Sequence, residues 1–323
     1  MKKDLLATPV LLLIFNRPDL TKEVFETVRK VRPLELYVAA DGARDDHPDD
    51  AEKCLRARDI VNQVDWNCRV ETLFREENLG CRVAIGSAID WFFGRVEEGI
   101  ILEDDCIPSE SFFWFCEELL EKYRYDQRIM QISGNNYLFG KKQFKESYYF
   151  SKLNGCWGWA TWKRAWRYYQ EGLNTFEKFE EEKQIYNYFE NKKVAEWMMS
   201  YLEDAAKPGC SIWSAQWSYA LIVNNGLCIS PAINLVQNVG FGESATHGKN
   251  KSFNFYSGFK HQEMGEIVHP PFVLPDREAD DLYFEIIKKT DPRLFCENKL
   301  KQIIKKKIIS GKMKDRIKSI LKK

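Results

Sequence analysis

Short apolar runs alternate with segments of helical period over the first 135 residues, and this alternation limits the chain to few folds. "VLLLIF" (Val10–Phe15), "LELYVAAD" (Leu34–Asp41), "RVETLFR" (Arg69–Arg75) and "GIILED" (Gly99–Asp104) have the length and branched apolar content of strands. Between them, "DLTKEVFETVRKV" (Asp19–Val31) sets Val24, Val28 and Val31 on one helical face, and helical patterns cover 49–64 and 81–96. A β-α-β-α order predicts an α/β fold, a mostly parallel Rossmann-like sheet flanked by helices. Such sheets bind ligands beyond the carboxyl ends of their strands. Four strand ends here carry polar residues: Phe15-Asn16-Arg17, Asp41-Gly42, Arg75 to Asn78, and Glu103–Asp105. They are expected to converge.

From Tyr148 to about Trp217 the texture becomes aromatic and helical, and "GLCISPAINLVQNVGFGESATHG" (Gly226–Gly248) reads as strands ending in a Gly-rich loop. No Pro/Ser linker separates the halves, so the second is expected to pack against the first sheet. The expected domains are 1–275, divided into halves at 1–135 and 136–275, followed by a helical basic tail at 276–323. The formal net charge of zero hides an asymmetry: residues 299–323 hold eleven Lys/Arg and one acid, Asp315. Leu300, Ile303, Ile304, Ile308, Met313, Ile317, Ile320 and Leu321 recur there at helical spacing, the pattern of a basic amphipathic helix lying on an anionic membrane face. An apolar stripe has no use on nucleic-acid phosphates, so no nucleic-acid partner is expected.

No run approaches a membrane span. Asp4 interrupts the N-terminal apolar stretch, which lacks a small-residue cleavage site, so no leader is expected. Nine cysteines with no CxxC pair favour reduced thiols and a cytoplasmic location, at most peripheral on the inner membrane face.

The acidic triplet Glu103-Asp104-Asp105 is the strongest chemical signal. Three carboxylates at a strand end repel, and a cation among them, most simply Mn²⁺ or Mg²⁺, relieves the repulsion. Strand alternation predicts that Glu103 and Asp105 share a direction and Asp104 takes the other. A solvated acidic turn is the competing account. Asp41 can accept from the N–H of a uracil ring or serve only as a turn residue, and Arg17 and Arg82 can be cationic partners of phosphate or of the acids, or plain surface arginines. "NGCWGWATWKRAW" (Asn154–Trp166) and "IWSAQW" (Ile212–Trp217) hold six of the ten tryptophans. Indole faces stack on sugar rings or pack a core. Trp162 and Trp166, at i, i+4, are assigned to the core, while Trp157 or Trp159 is expected to face the site. His247, in a Gly-flanked loop, can bind metal or face a diphosphate.

In order along the chain, "LLLIFNRPDL", "YVAADG", "ENLGCRVAIGSAIDWFF", "VEEGIILEDDCIPSESFFWF", "ISGNN", "GCWGWATWKRAW" and "FGESATHG" resemble glycosyltransferases of the GT-A fold. More closely, they resemble the N-acetylglucosaminyltransferase I family and its bacterial relatives. The resemblance spans Pro9 to about Gly248 and implies a nucleotide-diphospho-sugar transferase, with 1–135 as its nucleotide-sugar-binding half and 136–275 as its acceptor-side half. Phe15, Asn16, Arg17 and Asp41 would line the uridine pocket, with Asn78 and Arg82 nearby. Glu103 and Asp104 would hold donor sugar and ribose, and Asp105 would be the direct ligand of Mn²⁺. Trp157, Gly158 and Trp159 would bound the sugar, while Thr246 and His247 would close over the diphosphate.

Relatives carry an acid, the general base, just after the tryptophan matching Trp213. Here Ser214 stands in its place, and serine takes no proton unaided at neutral pH. Asp104 and Glu243 are the catalytic candidates, with Asp204 a further possible base. The implied activity is transfer of a sugar from a UDP-sugar to a hydroxyl of a glycan or lipid-linked saccharide, with inversion, in bacterial surface polysaccharide assembly. The competing reading is a nucleotide-sugar-binding subunit with little or no catalysis.

Overall fold

A computed structural model describes residues 5–240 and 260–289. Glu243, Thr246, His247 and the basic segment 299–323 lie outside the described residues, and with them the expected membrane contact and diphosphate-closing loop.

The first half follows the alternation read from the sequence: β1 (Val10–Ile14), α1 (Pro18–Val31), β2 (Glu35–Ala40), α2 (Asp50–Arg58), β3 (Arg69–Phe74), α3 (Cys81–Phe93) and β4 (Glu98–Glu103). In β1 all five residues are buried, as expected of a parallel strand covered on both faces. Its side chains alternate between two cores. Val10, Leu12 and Ile14 join one with α1 and α4 (Glu110–Lys122), and Leu11 and Leu13 join the other with α3. Helix α1 begins with Pro18 in its first turn, where a missing N–H costs nothing, and buries Val24, Phe25, Val28 and Val31.

The second half adds strands rather than only packing on the sheet, which corrects the expectation above. The strands β6 (Ile129–Ser133), β7 (Tyr148–Ser151), β8 (Trp159–Trp162) and β9 (Leu227–Pro231) complete one eight-stranded sheet of order β3-β2-β1-β4-β8-β6-β9-β7. β8 runs antiparallel between β4 and β6, pairing Ile100 with Ala160 and Ser133 with Trp159. The sheet is therefore parallel through β3-β2-β1-β4 and mixed beyond. A two-stranded ribbon of β5 (Cys106–Pro108) and β10 (Val236–Asn238) lies after the acidic triplet.

Beyond the short α5 (Lys163–Trp166), a third core gathers α6 (Phe176–Glu181), α7 (Ile185–Tyr188), α8 (Lys192–Ala206), α9 (Ser214–Val223) and the last described helix, α10 (Arg277–Ile287). The start of the segment expected as a tail thus packs into the body. Asp280 of α10 is buried, accepting from Ser151 Oγ at 2.5 Å and the Lys152 N–H at 3.0 Å. Tyr283 of α10 stacks on Tyr137 with ring centres 5.0 Å apart, and Tyr137 meets the edge of Trp157 at 5.6 Å. Among the described residues no helix is long and apolar enough to cross a membrane.

Candidate functional site

Beyond the carboxyl ends of β1, β2, β3 and β4 lies a cavity of about 620 Å³. Phe15, Arg17, Asp41, Arg75, Asn78, Glu103, Asp104 and Asp105 all line it, so the four polar strand ends do converge. Ala84, Ile85 and Ala88 of α3, Trp157 and the Ser211–Ser214 stretch line it as well.

Asp41, the residue after β2, is nearly buried. Its two oxygens accept from the N–H groups of Leu79 and Gly80, each at 3.0 Å, immediately before α3 begins. Its carboxylate therefore fixes the entry to α3 by taking the N–H of the N-cap residue Gly80, which the helix leaves open, and that of Leu79 just before it. Asn78 is held by a 2.7 Å bond from Nδ2 to the Gly42 carbonyl. Arg58 ties the ends of β2 and β3 by donating to the carbonyls of Asp41 and Arg75.

The acidic triplet is organised around Arg17. Its Nη2 is bonded to Asp104 Oδ1 and its Nη1 donates to Asp105 Oδ2 at 2.8 Å. The other Asp104 oxygen accepts the Phe15 N–H at 3.1 Å. Asp104 and Asp105 therefore converge on one guanidinium, contrary to the strand alternation expected. β4 ends at Glu103 and the next two residues turn, so the two-residue period no longer applies. Burial works against the Arg17 cation, but Asp104 and Asp105 outweigh it and hold its pKa above the ordinary arginine value.

Burial, with Asp105 and Asp104 beside it, raises the Glu103 carboxyl to about 8 against the pull of Arg17. Asp104 is raised to about 6 by burial, opposed by Arg17. Asp104 is 2% exposed and both its oxygens are engaged, so it acts as the anchor of Arg17 and of the β1 end.

The residues present accommodate Arg17 better than a metal. Asp105 Oδ2 is bonded to Arg17, and a Cβ at Gly240 would stand 2.1 Å from that oxygen, so backbone covers it from another side. Asp105 Oδ1 receives Cys106 Sγ at 3.3 Å and Asn238 Nδ2 at 3.4 Å. Among the described residues no three His, Cys, Asp or Glu side chains are grouped as a metal would need. With Arg17 in place, this donor set does not fit the Mn²⁺ or Mg²⁺ expected at Asp105.

Other expected residues divide clearly. Trp157 lines the cavity, whereas Trp159 is fully buried, with Trp213 stacked at 5.9 Å and Trp217 at 5.7 Å. Trp159 starts β8, which is covered on both sides by β4 and β6, so its indole belongs to the core. Gly158 has φ +70°, and a Cβ there would meet Val236 at 2.8 Å; it serves the packing of β10, not the cavity. Asn16 turns away and donates to Asp50 Oδ1 at 2.6 Å. Arg82 approaches Glu171 at 3.9 Å and does not line the cavity. Asp204, also off the cavity, bonds Lys207. Trp162 and Trp166 are core, as assigned. Ser214 does line the cavity, 3.0 Å from the Tyr201 hydroxyl.

Arg44 was missed. It lies over the Phe15 ring at 5.4 Å, fixed by Asp50, whose carboxyl Arg44 holds down to about 2. "DGARDD" reads as a turn, and nothing local marks its arginine as facing a cavity. The small residues Ala84 and Ala88, one helical turn apart, were a legible sign of a face left open.

No family model matches this sequence, and no curated protein matches it. Among solved structures, HddC from Yersinia pseudotuberculosis is similar over 39% of this chain and 57% of its own length, at 13% identity and a TM-score of 0.27. The chain thus spans little more than half of that protein, and a likeness of this size carries no functional argument.

Proposed function

We propose that this chain is a glycosyltransferase of the GT-A type, moving a sugar from a UDP-sugar to a hydroxyl of a saccharide or lipid-linked saccharide with inversion. The observation that carries the reading is the single cavity joining Asp41, Asn78, Arg17 and the acidic triplet to Trp157 at the carboxyl ends of the strands. Phe15, Asp41 and Asn78 form the end suited to a nucleoside, and Trp157 and Trp213 supply apolar faces suited to sugar rings. In transfer, the acceptor oxygen bonds to the anomeric carbon while the bond to the diphosphate breaks, its electron pair leaving with UDP. Cationic donors held beside the departing diphosphate lower the barrier because they need no reorganisation as charge develops.

Calorimetry with UDP, and turnover of UDP-sugars against a saccharide panel, test this. Asp104→Asn frees one arm of Arg17 and is expected to weaken UDP binding by about tenfold or more, roughly 1.4 kcal/mol. Wild-type protein that binds neither UDP nor any UDP-sugar would sink the reading.

The second reading, a binding subunit with weak catalysis, is favoured by Ser214 at the cavity wall. If the chain lacks only its base, Ser214→Asp should raise transfer by about two orders of magnitude, the usual scale of general-base catalysis. An unchanged rate would remove that explanation.

A further inference from the structure

Resting on the nucleotide-sugar reading above, we propose that Arg17 is the resident cation of this site, so that a nucleoside diphosphate binds here without a divalent metal. Three carboxylates massed after a buried strand need positive charge nearby, and the chain supplies it itself. Arg17 is positioned from its own backbone: its carbonyl accepts the Thr21 N–H at 2.9 Å and Thr21 Oγ at 2.8 Å, fixing the first turn of α1. Its side chain, four-fifths buried, reaches back across the sheet end to grip Asp104 and Asp105 together.

A guanidinium keeps its proton at any working pH and offers five N–H donors in a rigid fork. The two acids take one donor from each of Nη1 and Nη2, leaving others for phosphate oxygens in the cavity that Arg17 lines. The N-terminus of the fourteen-residue helix α1 lies at the same point and favours an anion there as well. A divalent ion at Asp105, by contrast, has to break the Arg17 bridge, fit beside the close-lying Gly240, and sit next to a cation that cannot leave its charge behind.

The test uses the full chain with UDP and Mn²⁺ as probes. UDP titrated in excess EDTA is expected to bind with a Kd within about threefold of that in excess Mn²⁺. Mn²⁺ alone should keep its free-ion electron paramagnetic resonance signal when the protein is added. Arg17→Met should weaken UDP binding at least about tenfold and, by uncovering the acids, make the protein deplete that Mn²⁺ signal. Arg17→Lys keeps the charge without the fork and covers the case in which Arg17→Met does not fold. It should bind UDP more weakly than wild type and still without metal.

UDP binding that requires Mn²⁺, or tightens tenfold or more with it, overturns the proposal while leaving the nucleotide reading intact. So does wild-type depletion of the Mn²⁺ signal that Asp105→Asn abolishes. Failure of UDP to bind under either condition overturns both.

Discussion

Asp41 shows how one side chain can fix the backbone around it while facing a cavity. Each of its oxygens takes a single backbone N–H, at the step from β2 into α3, while the residue still lines the cavity. Asp41→Asn replaces one acceptor with an N–H₂ facing an N–H donor. The expected cost is about 1–3 kcal/mol, read as a lower urea midpoint at unchanged slope. A variant as stable as wild type would show that the α3 entry is held by other means. From the sequence, Asp41 could be placed at the site but its backbone partners could not, since they lie 38 and 39 residues away. Trp157 and Trp159 mark the same boundary. Two residues apart in a run of indoles, they are told apart only by the strand that begins at Trp159 and by the neighbours on its two sides.

At the scale of elements, α10 is fastened to β7 by a buried acid. Burial raises the Asp280 carboxyl to about 7, opposed by its bonds from Ser151 and Lys152. Ser151 has one hydroxyl proton and lies 2.9 Å from the Leu153 carbonyl as well as 2.5 Å from Asp280. Protonated Asp280 can donate to Ser151 Oγ and free that proton for Leu153. The folded state thus holds its proton more tightly than the unfolded chain. Asp280 therefore supports folding fully only below its unfolded pKa, and this support fades as pH rises toward about 7. Asp280→Asn imitates the neutral acid. It should match wild type near pH 4 and exceed it at pH 8, by at most about 4 kcal/mol. Equal pH profiles for the two proteins in chemical denaturation would refute this. The strands and helices of the first half were legible because parallel strands buried on both faces are apolar throughout. The insertion of β8 between β4 and β6 was not, because no local pattern states which strand a four-residue segment will join.

Across the whole molecule, one sheet is assembled from both halves of the sequence, and the cavity opens at the end where the parallel strands finish. The acidic triplet was visible as a demand for positive charge, with Arg17 and Arg82 as candidate cations; that Arg17, 86 to 88 residues earlier, meets it and Arg82 does not was hidden, because the contact arises only when β1 and β4 lie side by side. The chain of rings from Tyr283 through Tyr137 to Trp157 reaches further still, joining the last described helix to the cavity wall. That linkage has a consequence during synthesis. A nascent chain emerging from the ribosome owns its strands and carboxylates well before residue 283, yet the Tyr137 ring that meets Trp157 is not yet stacked on Tyr283. The cavity wall therefore gains its full aromatic backing only once residue 283 has been made, long after the strands of the pocket's floor.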